Sequence, residues 1–139
     1  MAIISILKEF FYHEGRGPEL QKVYYSDSGV GIRAIDYYNP DDGYTPENLK
    51  HLIFVKPQVF LFTPHEVYNY ADEEIPRYSA DKAAIVCLGK SKWLQSFNPQ
   101  HLNKCQHFQI MFYDDFLDII CEEIKAEMGS YEMLASVKE

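Results

Sequence analysis

The chain predicts an α+β fold. It reads as a single domain over residues 1–139, with one mixed or antiparallel sheet of about five strands, an N-terminal hairpin and several helices packed on the sheet. Three observations carry this. Two runs, LQKVYY (20–25) and IRAIDYY (32–38), flank the turn-forming SDSGVG and predict a β-hairpin. Three more short apolar runs, at 58–62, 83–88 and 107–112, predict strands. Around them, apolar residues recur at three- and four-residue spacing, which predicts helices.

In order along the chain, residues 2–12 set Ile3, Leu7 and Phe10 on one helical face with Ile4 and Phe11 beside them. Gly15, Gly17 and Pro18 break that helix. In the hairpin turn the glycines supply positive φ, and Asp27 and Ser28 bond the local backbone. Pro40, Asp41, Asp42, Gly43 and Pro46 mark a surface loop over 39–48. Thr45 as N-cap, Pro46 at the first helical position and Glu47 in the first turn predict a short helix over 46–54, with Leu49, Leu52 and Ile53 at helical spacing. Lys56-Pro57 ends it, and QVFLF (58–62) predicts a buried strand. Thr63 and Glu66 form a capping box, which predicts a helix from there to about Glu73. Residues 74–82 read as a linker and 83–88 as a strand closed by Gly89. The stretch 90–97 is ambiguous, with Trp93, Leu94 and Phe97 sharing a helical face, and 98–104 reads as a loop. From His107 to Phe112 the residues alternate, placing Phe108, Ile110 and Phe112 on one side of a strand. Residues 114–128 predict a helix with Phe116, Leu117, Ile120 and Ile124 inward and Asp115, Asp118 and Glu122 outward. Gly129 suits its end, and 130–139 reads as a loose tail.

The bulk chemistry bounds the partners. A net charge of −8 and a pI near 5.1 repel phosphate, which excludes free nucleic acid and disfavours anionic membranes. The same charge favours and steers a basic protein partner. Hydrophobic residues at 47% are enough for a real core, and 11 tyrosines suit half-buried and contact positions alike. Three cysteines, Cys87, Cys105 and Cys121, make no complete disulfide framework and read as buried thiols of a reducing, cytoplasmic compartment. The opening MAIISILKEF lacks a basic leader region and is interrupted by Lys8-Glu9, which argues against a signal peptide. No run approaches the ~20 apolar residues of a membrane span.

Several catalytic motifs are incomplete. The Asp-Ser-Gly of SDSGVG resembles part of the nucleophile loop of chymotrypsin-like proteases, and a hairpin turn accounts for it fully. Ser79 and Lys82 match the S-x-x-K of penicillin-recognising enzymes without that family's companion motifs. His13-Glu14 and His65-Glu66 lack the second histidine of a zinc helix. Cys105 and His107, two apart on one strand, face the same side and offer two metal ligands, with Cys87 as a third if its strand is adjacent, or a thiolate pair; zinc wants three or four ligands, and ordinary strand residues are the expected reading. No metal or cofactor is expected. Cys105 and His107, with Asp114, are the groups a small hydrolase or transferase would use.

The densest unusual cluster is DYYNPDDGYTPEN, residues 36–48. Rigid amphipathic tyrosines beside carboxylates are suited to covering a basic surface. Locally it is similar to the Tyr-Tyr-Pro and Asp-Asp contact segment of colicin DNase immunity proteins, with Asn39 inserted before Pro40. Members of that family are shorter and all-helical, unlike the strand-rich pattern here. The candidate partner-binding residues are Asp36, Tyr37, Tyr38, Asp41, Asp42 and Tyr44, with Asp115, Asp118 and Glu122 as a second acidic stripe. The resulting expectation is a cytosolic, non-enzymatic, immunity-factor-like protein that binds a basic partner. The alternatives are the Cys/His enzyme and a homo-oligomeric subunit whose tyrosines meet their own copies.

Overall fold

A computed structural model of the chain describes residues 4–5, 18–25, 31–38, 48–64, 66, 85–98 and 100–132. Strands dominate them. β1 (Ile4–Ser5), β6 (Ile85–Gly89), β7 (Gln106–Met111), β8 (Asp115–Cys121) and β5 (Val59–Pro64) form one sheet in that spatial order. β2 (Glu19–Tyr25), β3 (Ile32–Tyr38), β4 (Lys50–Val55) and β9 (Glu123–Met128) form the second. Every pairing is antiparallel. The only helix longer than one turn's start among the described residues is α1 (Lys92–Gln95). The α+β expectation is therefore overturned: two antiparallel sheets replace a single sheet packed by helices.

The sheets meet through their inner faces. Ile35, Tyr37, Leu52, Phe54 and Ile124 from one pack with Ile85, Phe108, Ile110, Leu117 and Ile119 from the other in one buried cluster. The hairpin is formed as expected, and β3 begins and ends at the predicted residues. Its register shifts between Tyr24 and Tyr25, so that Arg33 is skipped. This bulge lets both Ile32 and Ile35 reach the core while Arg33 stays exposed.

Four predicted helices give way, in whole or in their described residues, to strands. Residues 114–128 are β8 and β9. Leu117, Ile119 and Cys121 point into the shared core, and Phe116, Asp118 and Ile120 on the opposite face are buried too. A strand buried on both faces has no polar alternation, so its apolar residues fall at helical spacings by coincidence. The segment 46–54 holds β4 for the same reason: Leu52 and Phe54 face the core, and His51, next to Leu52, is buried on the other side. Thr63 and Pro64 pair with Phe116 and Asp115 inside β5, so the predicted capping box does not cap a helix at Thr63. Ile4 and Ser5, expected in a helix, pair with Cys87 and Val86. The rest of the 2–12 and 63–73 helices, the SDSGV turn and the 74–82 linker lie outside the described residues.

One corner joins the layers. β4 runs through Lys56-Pro57-Gln58 into β5 of the other sheet, and β8 runs through Glu122 into β9 in the reverse direction. The crossings lie side by side: Glu122 N–H donates to the Val55 carbonyl at 2.9 Å, and Gln58 N–H to the Ile120 carbonyl at 2.8 Å. Two strands thus switch sheets together as one bent ladder. Lys56 makes the bend with φ at +55°. Among the described residues no helix is long and apolar enough to cross a membrane.

Candidate functional site

Three features carry chemistry: an acidic cavity, a buried serine–histidine–aspartate chain, and a charged row across the second sheet. The cavity, of about 250 Å³, lies where the start of β2 meets the β7–β8 turn. Glu19, Asp114 and Asp115 supply three carboxylates, Tyr113 an aromatic wall, and Leu20 and Phe112 apolar surface. The turn is built by the Phe112 N–H donating to the Asp115 carbonyl at 2.9 Å, and it is tied to β2 by the Tyr113 N–H donating to the Pro18 carbonyl at 2.8 Å. The Tyr38 hydroxyl donates to the Glu19 carboxylate, which fixes that wall from β3. Tyr113 is 44% exposed. Carboxylates at the rim and apolar surface beside them suit a long cationic side chain, whose methylene stem needs apolar cover and whose head needs anionic acceptors.

The second feature lies at the opposite end of β7. His107 Nε2 is 2.6 Å from Asp118 Oδ1, and His107 Nδ1 is 2.7 Å from Ser91 Oγ. Gln109 Nε2 donates to the same aspartate oxygen at 3.2 Å. Ser91 is also the N-cap of α1, its Oγ accepting the Leu94 N–H at 3.2 Å. These roles fit one direction of bonds: Nε2–H donates to Asp118, the Ser91 O–H donates to Nδ1, and the serine oxygen accepts from Leu94. The Trp93 ring packs tilted against the imidazole, 4.9 Å between centroids. Lys90 anchors the following turns by donating to the carbonyls of Leu102, Asn103 and Cys105. The residue types match a nucleophile, a base and an orienting acid. The accessibility does not: Ser91 is 1% exposed and its oxygen is already committed to the helix cap. The geometry is that of a closed structural chain that satisfies polar groups buried on the outer face of the first sheet.

The third feature crosses the second sheet. In register, Lys22 opposes Asp36, Asp36 opposes His51 and His51 opposes Glu127, one residue from each of the four strands. The Tyr24 hydroxyl donates to Asp36 Oδ2 at 2.5 Å, and burial first, then this bond and the aspartate charge, push the Tyr24 phenol up.

No protein-family model, curated protein or solved structure matches the chain.

The sequence-predicted residues are distributed among these features. Asp115 and Asp114 line the cavity. Asp118 is 8% exposed and bonded to His107, and Glu122 sits at the corner between the sheets, so the acidic stripe is not one face. In a strand, residues 115, 118 and 122 cannot align as they would on a helix. Asp36 is 3% exposed and Tyr37 is fully buried in the shared core, which takes both away from the surface. Tyr38 is half-buried against Glu19, and Asp41, Asp42 and Tyr44 lie outside the described residues. Cys105 packs with Leu94, Leu102 and Ile120, and burial, then the Glu122 charge, push its thiol up, away from a reactive thiolate. Burial likewise pushes the Cys121 thiol up to about 12. Asp114 lies past the far end of β7 from His107, so Cys105, His107 and Asp114 do not form one site. The three cysteines are free and buried. Among the described residues no three His, Cys, Asp or Glu side chains are placed to share a metal ion. Ser91, Glu19 and Tyr113 carry no recognisable motif; only the strand register brings them to their partners.

Proposed function

We propose that this protein is a non-enzymatic interaction protein that binds a basic protein partner and seats one of its lysine or arginine side chains in the cavity between β2 and the β7–β8 turn. The observation that supports the reading is the convergence of Glu19, Asp114 and Asp115 with Tyr113 and the apolar Leu20 and Phe112 on one cavity. A net charge of −8 adds a field that draws a cationic partner toward it. Arginine fits the site best, because its planar head bonds two carboxylate oxygens at once and stacks on an aromatic ring.

Titration calorimetry with an arginine-rich peptide tests the reading. Wild-type protein is expected to bind with an affinity that falls as salt rises, and Asp114→Lys to weaken binding at least about tenfold, the effect of replacing an attractive charge by a repulsive one. Asp114 is an exposed turn residue, so the fold is expected to survive the change. Equal binding by wild type and variant, in a variant with unchanged melting temperature, would remove the cavity from the binding surface.

A further inference from the structure

Among the described residues, β5 closes one side of the first sheet, and β2 and β9 close the two sides of the second. An edge strand presents backbone N–H and C=O groups that can pair with another chain, and proteins blunt such rows with charges, prolines or bulges. β9 is blunted by Glu123, Lys125 and Glu127, which alternate along it. β2 carries Lys22 and two register shifts. β5 differs from both. Its sequence VFLFTP holds no charged residue, and it pairs with β8 in an unbroken register. Among the described residues nothing pairs with its other side. Pro57 and Pro64 bound the stretch, so every residue from Gln58 to Thr63 keeps its N–H.

The side chains of β5 are apolar on both faces. Phe60 and Phe62 are only partly buried against the shared core, and Leu61 on the opposite face is 48% exposed. Tyr25, 60% exposed, lies 6.1 Å from Phe60 between ring centroids, so apolar surface continues from the edge onto the hairpin of the second sheet. The flanks are charged. Lys56 precedes the strand and Glu66 follows it; both are exposed, and neither has a salt-bridge partner among the described residues.

We propose that the β5 edge is the site at which a second copy of this chain adds, β5 against β5, joining the two first sheets into one. The charges select this occupant. Two antiparallel copies of the strand run in opposite directions, so the Lys56 end of each meets the Glu66 end of the other, and both ions gain an opposite charge. Between those ends no charge faces the contact, which lets two chains of net charge −8 approach there without like charges opposed. A twofold axis through Leu61, perpendicular to the sheet, keeps the core-facing sides of both copies on one side. It sets Leu61 opposite its own copy and Phe60 opposite the copy's Phe62. Main-chain hydrogen bonds then supply the attraction, and the apolar pairs and end charges supply the register. The edge shares no residue with the lining of the cavity, so the inference stands apart from the proposed cationic partner.

Sedimentation equilibrium on the full chain tests it. The wild-type mass is expected to rise with concentration from the 16.2 kDa of one chain toward twice that value. Leu61→Lys puts two cations opposite each other at the axis and is expected to stay at the mass of one chain throughout. Leu61 is exposed, so circular dichroism is expected to show the fold kept. Glu66→Lys sets a lysine against Lys56 and is expected to weaken association at least about threefold. Adding Lys56→Glu to that variant reverses both charges and is expected to restore wild-type association. A wild-type chain that keeps the mass of one chain at every concentration would overturn the proposal and leave the edge to a strand of another protein. A folded Leu61→Lys variant that still pairs, or a double variant that associates no more tightly than Glu66→Lys alone, would overturn it as well.

Discussion

Ser91, His107 and Asp118 show what a single buried polar residue requires of its neighbours. His107 and Gln109 point to the outer face of β7, where a strand buried on both sides leaves no water to receive their polar atoms. Asp118, opposite Gln109 in register, bonds both, and Ser91 takes the remaining imidazole nitrogen. Asp118→Ala would strand the Nε2–H and the Gln109 amide without acceptors, and is expected to cost about 2–4 kcal/mol in urea unfolding. Ser91→Ala keeps the histidine–aspartate bond and loses the cap and one donor, so about 1–2 kcal/mol is expected. A smaller loss for Asp118→Ala than for Ser91→Ala would mean that the aspartate is not the hub of the chain. At this scale the sequence showed the residue types and not the grouping. It paired His107 with Cys105, two residues away on the same strand, because spacing along a strand is visible in sequence. The true partners lie 16 residues before and 11 residues after it, and only strand pairing brings them near. Asp36 and Tyr37 were misplaced for a related reason: composition marks a Tyr/Asp segment as contact surface, while their place inside β3 turns one into the core and the other under Tyr131.

At the level of elements, what was legible followed from how each strand meets water. β2 keeps Gln21, Lys22 and Tyr25 exposed, and the glycines of the SDSGVG sequence separate its run from that of β3, so the two runs end where the sequence says they do. β6 and β7 are short apolar runs ended by turn residues, and were also recognisable. β4 and β8 are buried on both faces, and their patterns carry no period that separates strand from helix. Tertiary pairing decides them. The corner between the sheets offers a direct check. Lys56 holds φ at +55°, a region that costs a residue with a Cβ about 1–2 kcal/mol, and its side chain is exposed. Lys56→Gly removes that strain and adds about 0.5–1 kcal/mol of unfolded-state entropy cost. The net expectation is a gain of roughly 0.5–1 kcal/mol in urea unfolding. A variant less stable than wild type would show that the bend is held by side-chain contacts of Lys56 rather than imposed on it by the two crossing strands.

Across the whole molecule, the two sheets are bound more tightly than two layers in contact. Each contributes to the same buried cluster, and the bent ladder through Lys56 and Glu122 makes two of the strands in one sheet the continuation of two in the other. Neither layer can lose its pairing without exposing the core face of its partner. Unfolding should therefore be one event, whichever part of the molecule is watched. The chain has a single tryptophan, Trp93, packed against His107 on the outer face of the first sheet. Its fluorescence reports on that layer, whereas far-ultraviolet circular dichroism reports on all the strands. Leu52 is fully buried in the second sheet, across the core from the layer that carries Trp93. Leu52→Ala is expected to lower stability by about 2–5 kcal/mol, from lost burial and the cavity left behind. Both signals should shift to the same urea midpoint with unchanged slope. If the dichroism transition moved while the Trp93 transition stayed in place, the sheets would be unfolding separately, and the shared core would not be what couples them.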